Sequence, residues 1–272
     1  METTLARSPL WLATIFTLVL AELAWRVRSG RGYDGRTALT TLGLALGGLP
    51  FALANSVAIG AIFAWCWSKA PVHWPRGDWR SWAAGFLAVE FAYYWFHRLS
   101  HRVAWMWATH SVHHSAGQMT LLASIRLGWT NLFSAGWICY APLVFAGFDP
   151  RMIAVLLAVN LRYQFFLHTE AVGRLGPLEW VFNTPSHHRV HHGTNPCYLD
   201  RNYGGVLIVF DRLFGSFAAE RPDEPVRYGL AHREPSHNPL KIAFGEWAAL
   251  LRRAWTAPTA RARAIALFGP PA

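Results

Sequence analysis

Three short histidine runs carry the chemistry that this sequence could perform. HRLSH spans residues 97–101, HSVHH spans 110–114 and HHRVHH spans 187–192. The first is an H-x3-H motif and the other two contain H-x2-H-H, and residues three or four positions apart lie on the same face of a helix. If these segments are helical, each presents two or three imidazoles side by side, an arrangement that binds metal ions.

The H-x3-H motif supplies two candidate ligands and each H-x2-H-H motif supplies three, with His187 lying just before the last motif. A further histidine, His168, follows a long apolar segment and brings these candidate ligands to nine. A single zinc ion takes about four protein ligands, so this set suits two metal ions. The three cysteines lie far apart and form no C-x-x-C motif, which argues against a disulfide framework, a thiolate zinc site or an iron–sulfur cluster. Imidazole ligands alone leave zinc, copper, iron and nickel open.

The composition indicates an all-α integral membrane helix bundle. Hydrophobic residues make up 53% of the chain and charged residues 15%, whereas soluble domains contain about 25% charged residues. The formal charge of +10 fits basic cytoplasmic loops better than nucleic-acid binding, because the sequence shows no soluble basic module. We therefore expect the chain to contact a lipid bilayer and no nucleic acid.

Five apolar segments are candidate membrane spans, since a spanning helix needs about 20 mostly apolar residues. The first lacks the basic start and cleavage site of a signal peptide, which favours a retained span. The second is too long for one straight crossing, and a single span kinked at Pro50 is favoured over two spans. The last two are predicted to form an apolar hairpin. The segments are residues 10–27, 37–68, 81–96, 130–148 and 152–167.

The basic connector after the first segment orients the predicted bundle. Arg26, Arg28, Arg31 and Arg36 place it in the cytoplasm by the positive-inside rule. Alternating spans then bring every histidine run to the cytoplasmic side. The sequence thus predicts one membrane-embedded domain over residues 1–272, with a histidine-rich dimetal site on its cytoplasmic side.

Within that domain, residues 1–80 are predicted to form the N-terminal spans, 81–240 the catalytic core and 240–272 an interfacial helix and tail. Residues 240–255 are amphipathic, and two roles are open to them: lying on anionic lipid or packing against the cytoplasmic part of the chain that holds the histidines. Thr184 and Pro185 are typical of a helix start just before the last histidine run, as N-cap and first helical residue.

The histidine runs, together with two other segments, resemble one family. HRLSH, HSVHH, TPSHHRVHH and the run NYGGVLIVFDRLFG at 202–215 resemble the fatty acid hydroxylase/sterol desaturase superfamily of membrane di-iron oxygenases. QFFLHTE at 164–170 and LGPLEW at 175–180 are most similar to the branch that holds alkylglycerol monooxygenase and its bacterial relatives. The resemblance covers roughly residues 80–240, and it implies a membrane helix bundle with a cytoplasmic cap of short helices that holds the dimetal site.

The resemblance implies an O2-dependent enzyme that hydroxylates or desaturates a C–H bond of a membrane lipid, such as a fatty acyl, alkyl-glycerol or sterol-like lipid. It implies two iron ions, which zinc can replace in recombinant protein, and a bacterial inner membrane with the site on its cytoplasmic side. The electron donor would be separate, whether cytochrome b5-like, ferredoxin-like or a reduced pterin. The implied ligands are His97, His101, His110, His113, His114, His168, His188, His191 and His192.

Four residues near these ligands are open to more than one role. Gln164 stands where the fuller family pattern has a histidine, and it could coordinate iron, hold a water or only pack. His187 is extra to the pattern and is favoured as a tenth ligand over a group that orients one. Glu170 is a candidate hydrogen-bond acceptor for a ligand. Glu90, inside the third segment, is either functional or a helix–helix hydrogen-bonding group.

Two other functions compete with the oxygenase interpretation. A membrane metal transporter would use the histidines as transit sites, but it would need ionisable groups in the middle of several spans. A zinc-dependent membrane hydrolase needs only three ligands and a general base. His73 and His232 stand alone and are interpreted as structural, and Glu234-x-x-His237 lies in a proline-rich loop unsuited to a helical metal motif.

Overall fold

The computed structural model is all-helical, which confirms the predicted fold class at that level. It describes residues 9–231, 233 and 235–271, with the backbone alone for Pro9 and Trp11; His232 and Glu234 lie outside the described residues. Short 3-10 helices cover Leu121–Ile125, Gly136–Tyr140 and Gly176–Trp180. The α-helices are α1 (Pro9–Arg28), α2 (Gly35–Ser68), α3 (Trp79–Arg102), α4 (Ala104–His114), α5 (Ala141–Phe145), α6 (Pro150–Phe165), α7 (Pro185–His191), α8 (Val209–Leu213), α9 (Pro239–Thr256) and α10 (Ala260–Phe268).

Helix α2 is continuous through Pro50. Asp34 caps its start by accepting hydrogen bonds from the backbone N–H groups of Arg36 and Thr37. Among the described residues it is the one helix that is long and apolar enough to cross a membrane by length and composition. Its exposed apolar side chains recur every three or four residues and form one stripe along the helix, at Leu39, Leu42, Leu46, Leu49, Leu53 and Val57.

The predicted spanning helix over 130–148 is wrong. Residues 131–135 form turns, and a 3-10 helix and α5 follow, each five residues long. Ala135 has a left-handed backbone with φ of 62°, which ends any regular helix there. The two short helices rise about 18 Å together, against a hydrocarbon thickness of about 30 Å. This segment covers α3 instead, because Val144 and Phe148 are buried in the core cluster that includes Val89 of α3.

Helices α3 and α6 contribute buried residues to the same core cluster, and each leads along the chain to histidines. The predicted segment 81–96 and the first histidine pair share the single helix α3, which Asp78 caps. Glu90 of α3 is buried and accepts a 2.6 Å hydrogen bond from Asn160 Nδ2 of α6. The same carboxylate accepts from the backbone N–H groups of Val206 and Leu207. The hydrogen-bonding interpretation of Glu90 is thus confirmed, and Glu90 joins two helices to the 204–208 loop.

Helix α9 packs against the histidine-bearing α4, as one of its two predicted roles requires. Leu250 is fully buried with Ala104 and Ala108 of α4. The Trp247 ring lies edge-on to Trp105, with centroids 4.9 Å apart, and its Nε1–H donates to Thr130. Leu240, Leu251 and Trp255 stay exposed on other parts of the helix.

Candidate metal centre

The folded chain gathers all nine predicted ligands into two groups. Within each group, one nitrogen atom per ring lies within 4.8 Å of those of all the other members. The five-histidine group contains His97, His101, His110, His114 and His191. The four-histidine group contains His113, His168, His188 and His192. A centre of two neighbouring metal ions is the arrangement that these groups suit.

Neighbouring residues on one helix divide between the groups. On α4, His110 and His114 are one turn apart and enter the five-histidine group, while His113 enters the other. The last run divides likewise, with His191 in the five-histidine group and His192 in the four-histidine group. The rings of His114 and His192 stack with centroids 4.3 Å apart. The two groups therefore lie side by side and share a face.

The spacing of ring nitrogens fits metal coordination. Two nitrogens bound at about 2.1 Å and at right angles lie about 3.0 Å apart. Nε2–Nε2 separations are 3.0 Å for His97–His110 and 3.1 Å for His113–His168. The buried Nε2 atoms of His101 and His191 have no hydrogen-bond partner among the described residues. Buried nitrogens that face one another without donors are satisfied by a cation that accepts imidazole, as iron and zinc do.

Main-chain carbonyls hold four of these rings in the tautomer that metal binding needs. In each, Nδ1–H donates to a carbonyl oxygen, which leaves the Nε2 lone pair directed into the group. These carbonyls were not predictable from residue types, since every residue carries one. The pairs are His97–Tyr203 at 2.8 Å, His113–Arg126 at 3.3 Å, His168–Gln164 at 2.7 Å and His191–Arg201 at 3.0 Å.

Burial keeps the imidazoles of the two groups neutral. It lowers the pKa of His113 to about 4, and the nearby Arg126 guanidinium opposes protonation as well, against a raising effect of the hydrogen bond to the Arg126 carbonyl. Burial also lowers the pKa of His192 well below its usual value. Neutral imidazole is the metal-binding form, so these ligands need not lose a proton at neutral pH.

His187 lies outside both groups, although it precedes His188 directly. Its Nε2 lies 3.8 Å from a carboxylate oxygen of Glu179, and its ring lies edge-on to Phe217. The carbonyl of His187 accepts a 3.0 Å hydrogen bond from Asn202 Nδ2. The structure thus does not bring His187 to the nine other histidines, and the favoured role of tenth ligand gains no support.

Gln164 is held by its neighbours at both ends of its carboxamide. Tyr93 O–H donates to its Oε1 at 2.9 Å, and its Nε2 donates to Asn160 Oδ1. Its main-chain carbonyl accepts from His168, so Gln164 reaches the four-histidine group through its backbone. Because Asn160 also bonds Glu90, one buried hydrogen-bond chain runs from the 204–208 loop to Tyr93.

Glu170 contacts arginine and tyrosine instead of a ligand. Its carboxylate lies 2.6 Å from Arg26 Nη1 and accepts from Tyr228 O–H at 3.3 Å. Glu22, one turn before Arg26 on α1, is buried and bonds Thr169 Oγ1. Sequence reasoning missed Glu22 and assigned Arg26 to the basic connector, whereas Arg26 is buried in α1; charged residues inside an apolar segment were a signal. Together they fix the loop that follows His168.

Two cavities reach the histidine groups through different rings. The larger, of about 450 Å³, is lined mainly by apolar side chains and Tyr93, and it reaches His110, His113 and His168. The other, of about 380 Å³, contains charged residues and reaches His101, His114 and His192. Each cavity thus touches both groups. The apolar one suits a hydrocarbon chain, because few polar atoms line it.

Comparison with known proteins identifies the family. Residues 82–216 match the family model described as fatty acid hydroxylase, a range that holds all nine histidines of the two groups. The chain belongs to the fatty acid hydroxylase/sterol desaturase superfamily. No solved structure matches the chain significantly.

Curated members of this superfamily are similar over most of the chain. It is 37% identical to the alkylglycerol monooxygenase of Xenopus tropicalis over 248 residues, which cover 89% of this chain and 54% of that protein. It is 45% identical to the human alkylglycerol monooxygenase over 65% of this chain and 39% of the relative. The ornithine lipid hydroxylase OlsE of Rhizobium tropici is 26% identical over 76% of this chain and 63% of the relative. The chain thus spans about half the length of the alkylglycerol monooxygenases that it matches.

Proposed function

We propose that this superfamily member is an iron-dependent lipid hydroxylase. One observation carries the proposal: two adjacent all-histidine groups border an apolar cavity of about 450 Å³. Histidine nitrogens suit iron, and the cavity suits the hydrocarbon part of a lipid. The names of the relatives, which are monooxygenases and a lipid hydroxylase, favour hydroxylation over desaturation.

The overall reaction is R–H + O2 + 2 e⁻ + 2 H⁺ → R–OH + H2O, where R–H is a C–H bond of the lipid. The two irons would be held by the nine histidines, and when bound they supply the activation of O2. The lipid loses two electrons in forming the C–O bond, and a separate donor supplies the other two. Protons come from water. A cytochrome b5-like protein, a ferredoxin-like protein or a reduced pterin could be the donor.

The residues around the centre orient the lipid and exclude water. Phe96, Leu157 and Leu161 line the apolar cavity and would contact the hydrocarbon chain. Tyr93 packs on the five-histidine group, since its ring lies 5.3 Å from that of His97 by centroids, and its hydroxyl donates to Gln164. Keeping bulk water from the reacting C–H bond favours oxidation of the lipid over unproductive consumption of O2.

Membrane placement follows from α2 and the basic connector. The stripe of exposed leucines on α2 would face lipid, and the arginines after α1 would lie in the cytoplasm. We place the histidine groups on that cytoplasmic side, with the apolar cavity open to lipid, in a bacterial inner membrane.

An assay of defined composition tests the proposal. The purified protein in lipid nanodiscs, loaded with Fe²⁺, is mixed with O2, a chemical reductant and either an alkyl glycerol or an ornithine lipid. Hydroxylation adds about 16 mass units and desaturation removes about 2. The alkyl glycerol is the first lipid to test because those relatives are more similar. Reductant-dependent O2 consumption with no lipid product would contradict the proposal, and a hydrolysed lipid without O2 consumption would favour the zinc hydrolase.

A further inference from the structure

An arginine-lined pocket lies on the outer side of the five-histidine group. It has a volume of about 270 Å³, and Arg98, Arg102, Arg201 and Tyr203 contribute to its wall. Asp200 in the same wall pairs with Arg102 at 2.9 Å. Three guanidinium groups against one carboxylate leave the pocket with a net charge of +2.

The loop that forms this pocket also holds two ligands of the five-histidine group. The carbonyls of Arg201 and Tyr203 accept hydrogen bonds from His191 and His97. Asp211 keeps the loop in place by accepting from the Tyr203 N–H at 2.7 Å. The loop thus presents arginine side chains outward and ligand-orienting carbonyls inward.

The ring of Tyr203 fills the space between the pocket and the group. The residue is 1% exposed and still contributes to the pocket wall. Its ring centroid lies 5.4 Å from that of His101, 5.9 Å from that of His97 and 6.1 Å from that of His191. One aromatic ring therefore separates the basic surface from three of the five histidines.

We propose that this pocket and its arginines form the docking surface for an acidic one-electron carrier protein. The inference rests on the proposed function, which needs two electrons per turnover from outside the chain. Two reduced carriers would each give one electron, through the Tyr203 loop, to the metal held by the five-histidine group. Positive charge steers an acidic partner to the surface point from which the path to the centre is shortest.

Binding of a carrier protein tests the docking surface without any turnover. The probes are an acidic [2Fe–2S] ferredoxin and an acidic cytochrome b5 domain, both oxidised, added to the protein in nanodiscs. For whichever carrier binds, Arg102→Glu with Arg201→Glu is expected to raise the Kd about tenfold at low salt and to flatten its salt dependence. Arg80→Glu with Arg151→Glu is the matched control, since it reverses the same number of charges in the first turns of α3 and α6, where a carboxylate is favourable.

Two further measurements, metal reduction and single-turnover lipid hydroxylation, distinguish an effect on carrier docking from an effect on the reaction itself. Dithionite, which needs no docking, should drive single-turnover lipid hydroxylation equally in the wild type and in the charge-reversed variant. Tyr203→Leu should leave the carrier's Kd unchanged but slow metal reduction by the carrier, and Tyr203→Phe should restore the rate. If the charge-reversed variant fails with dithionite, the milder Arg102→Gln with Arg201→Gln replaces it.

Three results would overturn the inference. The first is a wild type that binds neither carrier. The second is a carrier Kd that is equal in the charge-reversed and control variants. The third is a rate of metal reduction by the carrier that is equal in the wild type, the charge-reversed variant and Tyr203→Leu. The first result would favour a small donor reaching His101, His114 and His192 through the charged cavity, and the last would favour a carrier that docks elsewhere. A dithionite-reduced wild type that oxidises no lipid would instead refute the proposed function, while the binding result would still stand.

Discussion

At the scale of single residues, the site separates histidines that join one of the two groups from residues that only hold those histidines in place. His187 and His188 are adjacent in sequence and both buried, yet only His188 joins a histidine group. The reason is the helical turn: successive residues point about 100° apart. Whether a histidine joins a group therefore depends on the direction of its side chain as well as on its residue type.

We expect His188→Ala to lose metal from the four-histidine group and to abolish lipid oxidation, whereas His187→Ala should retain two metal ions per chain. His113→Ala should also lose metal from the four-histidine group, whereas His101→Ala and His191→Ala should lose it from the five-histidine group, since each removes one imidazole. Metal analysis with circular dichroism at equal expression checks this. An unchanged metal content in His188→Ala would remove that residue from the site, and metal loss in His187→Ala would restore it as a ligand.

Gln164 offers a second residue-scale prediction. Gln164→Leu leaves the buried Tyr93 hydroxyl and Asn160 carboxamide without their partner, at a cost of about 1–3 kcal/mol each in the free energy of unfolding. Gln164→His keeps a ring nitrogen for one of them. We expect the Gln164→His variant to retain more iron and more oxygen-dependent lipid conversion than the Gln164→Leu variant. If Leu outperforms His, Gln164 only packs.

At the scale of elements, two glycines of the 204–208 loop allow its backbone to approach α6 closely. A Cβ at Gly205 would overlap the Asn160 carboxamide, and one at Gly204 would overlap the Leu207 carbonyl. Neither glycine has positive φ, so glycine is needed here for close contact with α6 and with the loop itself. This contact lets Glu90 bond the loop and Asn160 at once.

Gly205→Ala should therefore displace Asn160 and disturb the hydrogen-bond chain to Gln164. We expect a lower Tm and weaker iron retention. Gly60→Ala in α2 is the matched control, because a Cβ there meets nothing within 4 Å and alanine favours a helix by about 0.5–1 kcal/mol. Equal Tm values for the two variants would show that the contact between Gly205 and Asn160 does not contribute to the stability of the fold.

At the scale of the whole molecule, burying so many imidazoles couples stability to metal and to pH. Burial lowers the pKa of His113 and His187 to about 4 each, while an unfolded histidine titrates near 6.5. As pH falls below about 6.5, the unfolded chain takes up protons that the folded chain cannot, so the folded state loses stability.

Chelator-treated protein should thus lose Tm steadily between about pH 6.5 and pH 4, with no further loss from these groups below that range. Fe²⁺ or Zn²⁺ should raise the Tm at neutral pH, because metal binds the folded state alone. His187→Gln should make the Tm of the metal-free protein less dependent on pH, without changing the rise in Tm that Fe²⁺ or Zn²⁺ produces. A Tm of the metal-free protein that is constant over this range would contradict the burial argument.

The sequence by itself determined the family, the helical fold class and the set of nine histidines. Helix period turns H-x3-H and H-x2-H-H into shared faces, and that period depends on local geometry alone. Tertiary structure alone decided the division into five and four, because His113 and His114 separate only once α4, α7 and the end of α6 are packed. It also decided that residues 130–148 cover α3 instead of crossing, since apolar composition is the same in a spanning helix and in a buried turn. The carbonyls of Tyr203 and Arg201 reach their histidines through a loop far along the chain, and no residue type marks such a contact in advance.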